Sequence, residues 1–417
     1  MFTFSENTKK WFVLLGIIYL AFIMLMHKWG HQGDMTFWMD WSKYMYNHGF
    51  THIYDNESCN YLPAYLYFLL LHVKMQGNLT DIQDNLYTIK YYTFFFDIAA
   101  AYLAVWFIKE ESKKLFCFLI LLFNIAFFYN TAIWGQVDAI FTFFGFAALV
   151  LAIEKKIIFS VISLLLALNF KLQALVFIPV VGLVLLPQLF SKEGFSKFLI
   201  SLFLVFIIEA LILLPFIVTG RLNQVMNVVL GAVGHYPYPT VGAFNMWSLV
   251  LYNTSIEGML GLSDAIKFAG LTYQQIGRIL FFSSSLIAIF PLMQYAYKKY
   301  VNPEEAPYLL SNIFLIAALV VLSFYYFNTQ MHERYVHPAI ILLAVYGFLS
   351  NRYFPLLGCS IAYFLNMERI TWYLALHKDT YMTSILFEPK LIASFYLIII
   401  LYLFYLLYGK KQHLPCS

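Results

Sequence analysis

The chain has 417 residues, 62% of them hydrophobic and only 12% charged, a balance well beyond that of soluble proteins. Its apolar residues come in runs long enough to cross about 30 Å of hydrocarbon as helices, which excludes a soluble fold, and they lack the short alternating strands of a β-barrel. The net charge of +4 is accounted for by lysines near one membrane face and calls for no nucleic-acid partner.

The pattern predicts an all-α, polytopic membrane protein with about twelve transmembrane helices. In chain order the spans fall at 11–26, 86–108, 115–131, 137–153, 157–170, 172–189, 197–218, 276–296, 308–327, 336–350, 353–366 and 390–408. The first, from Trp11 to Met26, runs into Trp29 and polar residues with no small-residue cleavage site, so it is read as a retained anchor. Lys9, Lys10, Lys109, Lys113, Lys114, Lys155, Lys156, Lys192, Lys197, Lys298, Lys299, Arg352, Lys410 and Lys411 fall on one side of this arrangement. The positive-inside rule makes that side cytoplasmic, together with both termini.

The opposite side receives the long connections, 28–85, 219–275 and 367–389, which form an extracytoplasmic cap. No internal repeat, Gly-rich phosphate loop or low-complexity linker interrupts the sequence, so residues 1–417 read as one domain. Cys59, Cys117, Cys359 and Cys416 show no metal-ligand spacing. Glycosylation triplets at Asn56, Asn78 and Asn253 lie in the outer connections without settling the origin of the chain. Short cytoplasmic loops and the mixture of Phe, Tyr, Ile, Asn and Lys favour a bacterial inner membrane, with the endoplasmic reticulum as the eukaryotic equivalent.

Polar residues gather at four places along the outer boundary: Asp34 to Trp41, Trp134-Gly135-Gln136-Val137-Asp138, Asn169-Phe170-Lys171-Leu172-Gln173, and Gln330-Met331-His332-Glu333-Arg334-Tyr335. All four are expected at the same membrane depth. Charged groups at span ends are costly unless they are paired or face a wet cavity, so their convergence marks a functional site. The bland alternative is interfacial decoration, since Lys and Arg snorkel and Trp and Tyr favour the interface.

This order of motifs resembles the GT-C membrane glycosyltransferases: an Asp in the first outer loop, Trp-Gly-Gln-x-Asp after the third span, Asn-Phe-Lys-x-Gln at the fifth-to-sixth turn, and His-Glu-Arg-Tyr before a late span. The similarity is greatest to the GPI mannosyltransferase-related bacterial proteins and extends to the lumenal glucosyltransferases that lengthen the N-glycan precursor. The stretch from Tyr54 to Tyr67 also resembles the family's Tyr…Tyr-Pro-Pro-x-Tyr segment, with Leu62 in place of the first proline.

The resemblance implies a GT-C fold and an inverting transfer of a hexose, mannose first and glucose next. The donor is a polyprenyl-phosphate-linked sugar and the acceptor a lipid-linked glycan, glycolipid or other molecule at the outer face of the bilayer. Asp34 holds the family's catalytic-Asp position and is the expected general base on the acceptor hydroxyl. Asp40 is the alternative base, or else an N-terminal residue of an amphipathic surface helix. Arg334, His332 and Lys171 are the expected donors to the departing lipid phosphate, although Lys171 can equally snorkel. Glu333 is expected to orient His332 or Arg334. Trp134, Gln136, Asp138, Glu333, Tyr335 and Asp40 are assigned to positioning sugar or acceptor, with Asp138 either binding hydroxyls or bracing the cap.

The segment Gly231 to Pro239 resembles the variable outer loop that covers the donor lipid, and its glycines and prolines predict an irregular gate, with His235 a surface residue. No cofactor and no metal is expected, because outer acidic residues are sparse. Two other readings compete. A flippase of lipid-linked saccharide would show discontinuous spans, some internal pseudo-repeat and ionisable residues near the bilayer midplane, for which the chain offers only Asp97, Glu209 and Asn124 inside spans. A glycan ligase or protein O-mannosyltransferase would share the cap, but the protein transferases carry adjacent acidic residues in the first loop, where Asp34 is followed by Met35.

Overall fold

A computed structural model of the chain describes residues 5–26, 28–232, 234, 236–251, 261–301, 309–371, 374 and 385–409. His235, Asn253, Lys410, Lys411, Cys416 and most of the 367–389 connection lie outside the described residues. The chain falls into two compact units, Met1–His235 and Tyr236–Ser417.

The first unit opens with α1, Glu6–Leu25, started by the Ser5 hydroxyl, which accepts the Thr8 N–H at 3.2 Å. The connection expected as a long loop is instead largely helical. It comprises α2 (Gln32–His48), a 3₁₀ turn (Phe50–Asp55), α3 (Pro63–Gln76) and the short α4 (Leu79–Asp84). Pro63 opens α3 at a first-turn position, where its missing N–H and fixed φ suit the helix start. Met35, Trp38, Trp41 and Met45 recur at spacings of three and four along α2 and turn one stripe into a core shared with Tyr65, Leu66 and Leu69 of α3.

The next helix, α5, runs Lys90–Ala104, followed by α6, Glu111–Leu122. The single span expected at 115–131 is broken. The Asn124 carboxamide oxygen accepts the N–H groups of Ala126 and Phe127, both at 3.2 Å, and starts a new helix, α7 (Ile125–Phe128), bent by 50° from α6. An asparagine that satisfies the free donors of a new helix ends the old one. α7 runs on into a wide turn, Tyr129–Trp134, which delivers the Trp134-Gly135-Gln136 motif. Then come α8 (Asp138–Ile153), α9 (Ile157–Phe170), a 3₁₀ turn (Leu172–Phe177) leading into α10 (Ile178–Leu189), α11 (Lys192–Val218) and α12 (Leu222–Gly231).

The second unit holds α13 (Met246–Val250), then a two-residue hairpin pairing β1 (Lys267–Phe268) with β2 (Leu271–Thr272), Lys267 opposite Thr272. Four long helices and one of fourteen residues complete it: α14 (Tyr273–Val301), α15 (Leu310–Phe327), α16 (His337–Ser350), α17 (Phe354–Thr371) and α18 (Pro389–Tyr408). α15 and α16 are buried along almost their whole length and form the centre of this unit.

Helix occupies each of the twelve predicted span positions. Among the described residues, six helices or continuous helical runs are long and apolar enough to cross a bilayer, or seven if the bent α6–α7 pair counts as one. These helices make the chain a membrane protein with the bilayer as its partner. α8, α9 and α16 are apolar but have only 16, 14 and 14 residues.

Candidate functional site

In the first unit a polar centre is built around Asp34. α2 begins two residues before this side chain, with His31 as the capping residue: the Asp34 N–H donates to His31 Nδ1 at 3.4 Å. A ring nitrogen here does the work usually given to Ser, Thr, Asp or Asn. His31 Nδ1 also lies 3.2 Å from Asp34 Oδ2, so its tautomer decides whether it accepts from the amide or donates to the carboxylate. From the α7 turn, the Trp134 indole N–H donates to Asp34 Oδ2 at 2.7 Å. The two rings stack at 4.8 Å, and the His31 N–H donates to the Trp134 carbonyl at 2.8 Å. The Asp34 carboxylate is thereby held by the Trp134 indole while its side chain keeps 16% of its surface exposed.

Two further features set this geometry. Gly135 has φ +82°, and a Cβ there would come within 2.4 Å of the Met35 methyl; glycine supplies both the left-handed turn and the room for Met35 beside Asp34. Lys90, 1% exposed at the start of α5, donates through Nζ to the carbonyls of Met26 (2.6 Å), Trp29 (2.9 Å) and Ala132 (2.8 Å). Its three donors tie the segment leading to Asp34 to the turn bearing Trp134. Sequence reading missed both His31 and Lys90. The available signal for Lys90 was its place at the expected outer end of a span, opposite the face expected for most of the lysines.

The remaining predicted residues of this unit separate by role. Asp40 sits mid-helix, not at a helix N-terminus, and its Oδ2 accepts from Asn56 Nδ2 at 2.8 Å and Ser58 Oγ at 3.1 Å. Those bonds brace the cap and correct the reading of Asp40 as a first-turn residue, a position Asp34 occupies. The Lys171 ammonium pairs with the Asp138 carboxylate and also faces the rings of Tyr61 and Phe141 at 5.9 and 5.8 Å. The Gln136 side-chain oxygen accepts from the Tyr61 hydroxyl at 3.4 Å and from the Val137 N–H at 3.1 Å. Tyr61 in turn packs on Trp41 and Tyr65, each at 5.3 Å. Burial, with the charge of Asp34 among the lesser causes, pushes the Tyr65 hydroxyl well above its ordinary value and keeps it protonated.

A latch between the 3₁₀ turn at Phe50–Asp55 and the start of α12 lies in the same unit. Arg221 donates to Asp55 Oδ2 through Nε (3.2 Å) and Nη2 (3.1 Å), and Nη2 also reaches His52 Nδ1 at 2.6 Å. Burial alone pushes the Asp55 carboxyl up, but hydrogen bonds and charge from Arg221 and His52 more than offset it and bring it below the ordinary value of 3.8.

In the second unit the centre is Glu333. Its Oε1 accepts from Arg334 Nη1 at 2.7 Å and its Oε2 lies 3.9 Å from His332 Nδ1. Arg334 and Glu333 are largely buried. The His332 ring meets Tyr236 edge-on at 5.1 Å and Tyr335 at 5.2 Å. Gly242, with φ +87°, lets its backbone approach so closely that a Cβ would stand 2.7 Å from Glu333 Oε2. Asn366, which sequence reading passed over, locks that segment: it donates to the Gly242 carbonyl at 2.8 Å and accepts from the Phe244 N–H at 2.9 Å and the Tyr325 hydroxyl at 2.7 Å.

The in-span polar groups on which a transport reading leans have local partners. Tyr19 donates to Asp97 at 2.9 Å, Asn169 donates to Glu209 at 2.7 Å, and Asn124 caps α7. No protein family and no curated protein matches this chain.

Proposed function

We propose that the chain is an inverting membrane glycosyltransferase of GT-C type with about twelve crossings, transferring a hexose from a polyprenyl-phosphate carrier to a lipid-linked glycan or other acceptor. The observation that carries this reading is the bond from Trp134 to Asp34, 2.7 Å between residues 100 apart in sequence. It joins two of the motifs on which the resemblance rests at a single, partly exposed carboxylate.

In this reading the acceptor hydroxyl gives its proton to Asp34 while its oxygen bonds to the anomeric carbon from the face opposite the phosphate. The bond from that carbon to the phosphate oxygen breaks, the lipid phosphate leaves with the electron pair, and the configuration inverts. The Trp134 indole, stacked on His31, fixes the direction of the carboxylate, which places the base without further reorganisation. Arg334 and His332 are assigned to the departing phosphate, with Glu333 aligning the guanidinium. Lys171, expected as a third donor to that phosphate, is matched by Asp138, and this pairing supports assigning it instead, with Gln136 and Tyr61, to positioning the sugar.

The test uses purified protein and Asp34→Asn with radiolabelled polyprenyl-phosphate-mannose and polyprenyl-phosphate-glucose, a pool of lipid-linked and protein acceptors, and EDTA throughout. Release of label from one carrier that requires Asp34 supports the reading and identifies the sugar. Binding of both donors with no turnover of either sinks it, and translocation of the lipid-linked sugar in liposomes becomes the next measurement.

A further inference from the structure

A cavity in the first unit lies away from the Asp34 centre, toward the other end of α1. It is a groove of about 660 Å³ between α1 and α5, with Phe118 of α6 and Phe143 of α8 at its floor. α1 and α5 run antiparallel: Phe12 meets Tyr102 at 5.6 Å, and Tyr19 meets Phe94 at 5.7 Å. The lining side chains run on α1 from Lys9 to Leu20 and on α5 from Leu103 back to Phe94, and all but Lys9 are apolar or aromatic. Val13, Ile17 and Phe95 on its rim are exposed, so the groove opens sideways toward lipid.

We infer that this groove holds one acyl chain of an anionic phospholipid, with the phosphate at the Lys9 end. Three features select that occupant. The eleven steps of helix from Lys9 to Leu20 rise roughly 16 Å, which matches one leaflet of a hydrocarbon core about 30 Å thick. The sole charged lining residue stands at one end, where a headgroup would lie, and it is cationic. Charges around that end are Lys9, Lys10, Lys113 and Lys114 against Glu6, Glu110 and Glu111, a net positive patch. Lys9 bridges to Glu6 at 2.6 Å and Lys114 to Glu111 at 2.8 Å, while Lys10 is exposed. The site therefore belongs to the leaflet opposite the Asp34 centre, and it stands whether or not the transferase reading holds.

The test is native mass spectrometry of the full chain released from detergent with phosphatidylglycerol or phosphatidylcholine of identical chains. The expected result is one retained phosphatidylglycerol per chain, favoured over phosphatidylcholine. Lys9→Gln should lower that preference about fivefold, the worth of one lysine at a lipid surface. Ala99→Trp, which fills the groove, should abolish retention, whereas Leu211→Trp on the exposed face of α11 should not. Because Ala99→Trp can disturb packing, a photoactivatable phosphatidylglycerol on the unaltered protein provides the second readout, with crosslinks expected on Val13, Ile17, Phe95 or Ile98. Equal retention of both lipids, indifference to Lys9→Gln, crosslinks spread over other helices, or a second copy of the chain protecting α1 and α5 would each overturn the assignment.

Discussion

Asp34 and Trp134 form a pair whose two halves can be changed separately. Asp34→Asn keeps volume and hydrogen bonding but removes the base, so turnover should fall by ~10²–10⁴-fold with the fold intact. Trp134→Phe keeps the ring that stacks on His31 but removes the indole donor to Asp34 Oδ2. Losing one hydrogen bond to a charged group corresponds to roughly 10–100-fold, expected in kcat with KM little changed, because the carboxylate is misdirected while substrate contacts persist. An equal rise in KM would instead make Trp134 a substrate contact. Asp40→Asn is the control: its carboxylate braces Asn56 and Ser58, so it should cost stability and leave kcat near that of the unaltered protein. The sequence singled out Asp34, Trp134 and Glu333 because their types and order are unusual at a membrane boundary. It could not show His31 as a cap or Asn366 as a lock, since each acts through backbone groups that carry no sequence signature.

At the scale of elements, the first centre depends on how α2, α5 and the turn after α7 are tied together. Lys90→Met leaves three carbonyls without their ammonium partner at a buried position, and each unsatisfied acceptor costs about 1–3 kcal/mol. The variant should therefore unfold well below the unaltered chain in a thermal scan of detergent-solubilised protein; an unchanged midpoint would mean water replaces the ammonium. The Arg221–Asp55 latch adds a pH dependence of determined sign. The Asp55 carboxyl titrates below 3.8, so the stability contributed by its bonds to Arg221 and His52 is complete above that value and is lost as pH falls through the lowered one. Hydrogen exchange at Phe50–Asp55 should rise on acidification below about pH 4, and Asp55→Asn should remove that step. Helix positions were legible from apolar runs, but the break at Asn124 was not. A polar residue inside an apolar run reads equally as a packing contact or a cap until the two N–H groups it satisfies are seen.

For the whole molecule, the distance between helix length and bilayer thickness is the open quantity that an experiment can close. Twelve predicted spans coincide with helix, yet α8 and α9 rise only roughly 24 and 21 Å, short of about 30 Å of hydrocarbon. Hydropathy reports where apolar residues lie, but whether a short helix crosses depends on what surrounds it. α8 is buried on nearly every face and meets protein where a longer helix would meet lipid. Crossing of both helices requires the turn at 154–156 to face the side opposite Thr219 and Arg221, the residues that follow α11. Cys59, Cys117 and Cys359 are buried thiols, so with Cys416→Ser an introduced cysteine reports alone. Glu154→Cys should then resist a membrane-impermeant maleimide in intact cells and react after permeabilisation, while Thr219→Cys should react in both states. Labelling of both from the same side would turn the α8–α9 hairpin into a re-entrant element. Asp138 and Lys171 would then keep their contact while the transmembrane count fell by two from the predicted twelve.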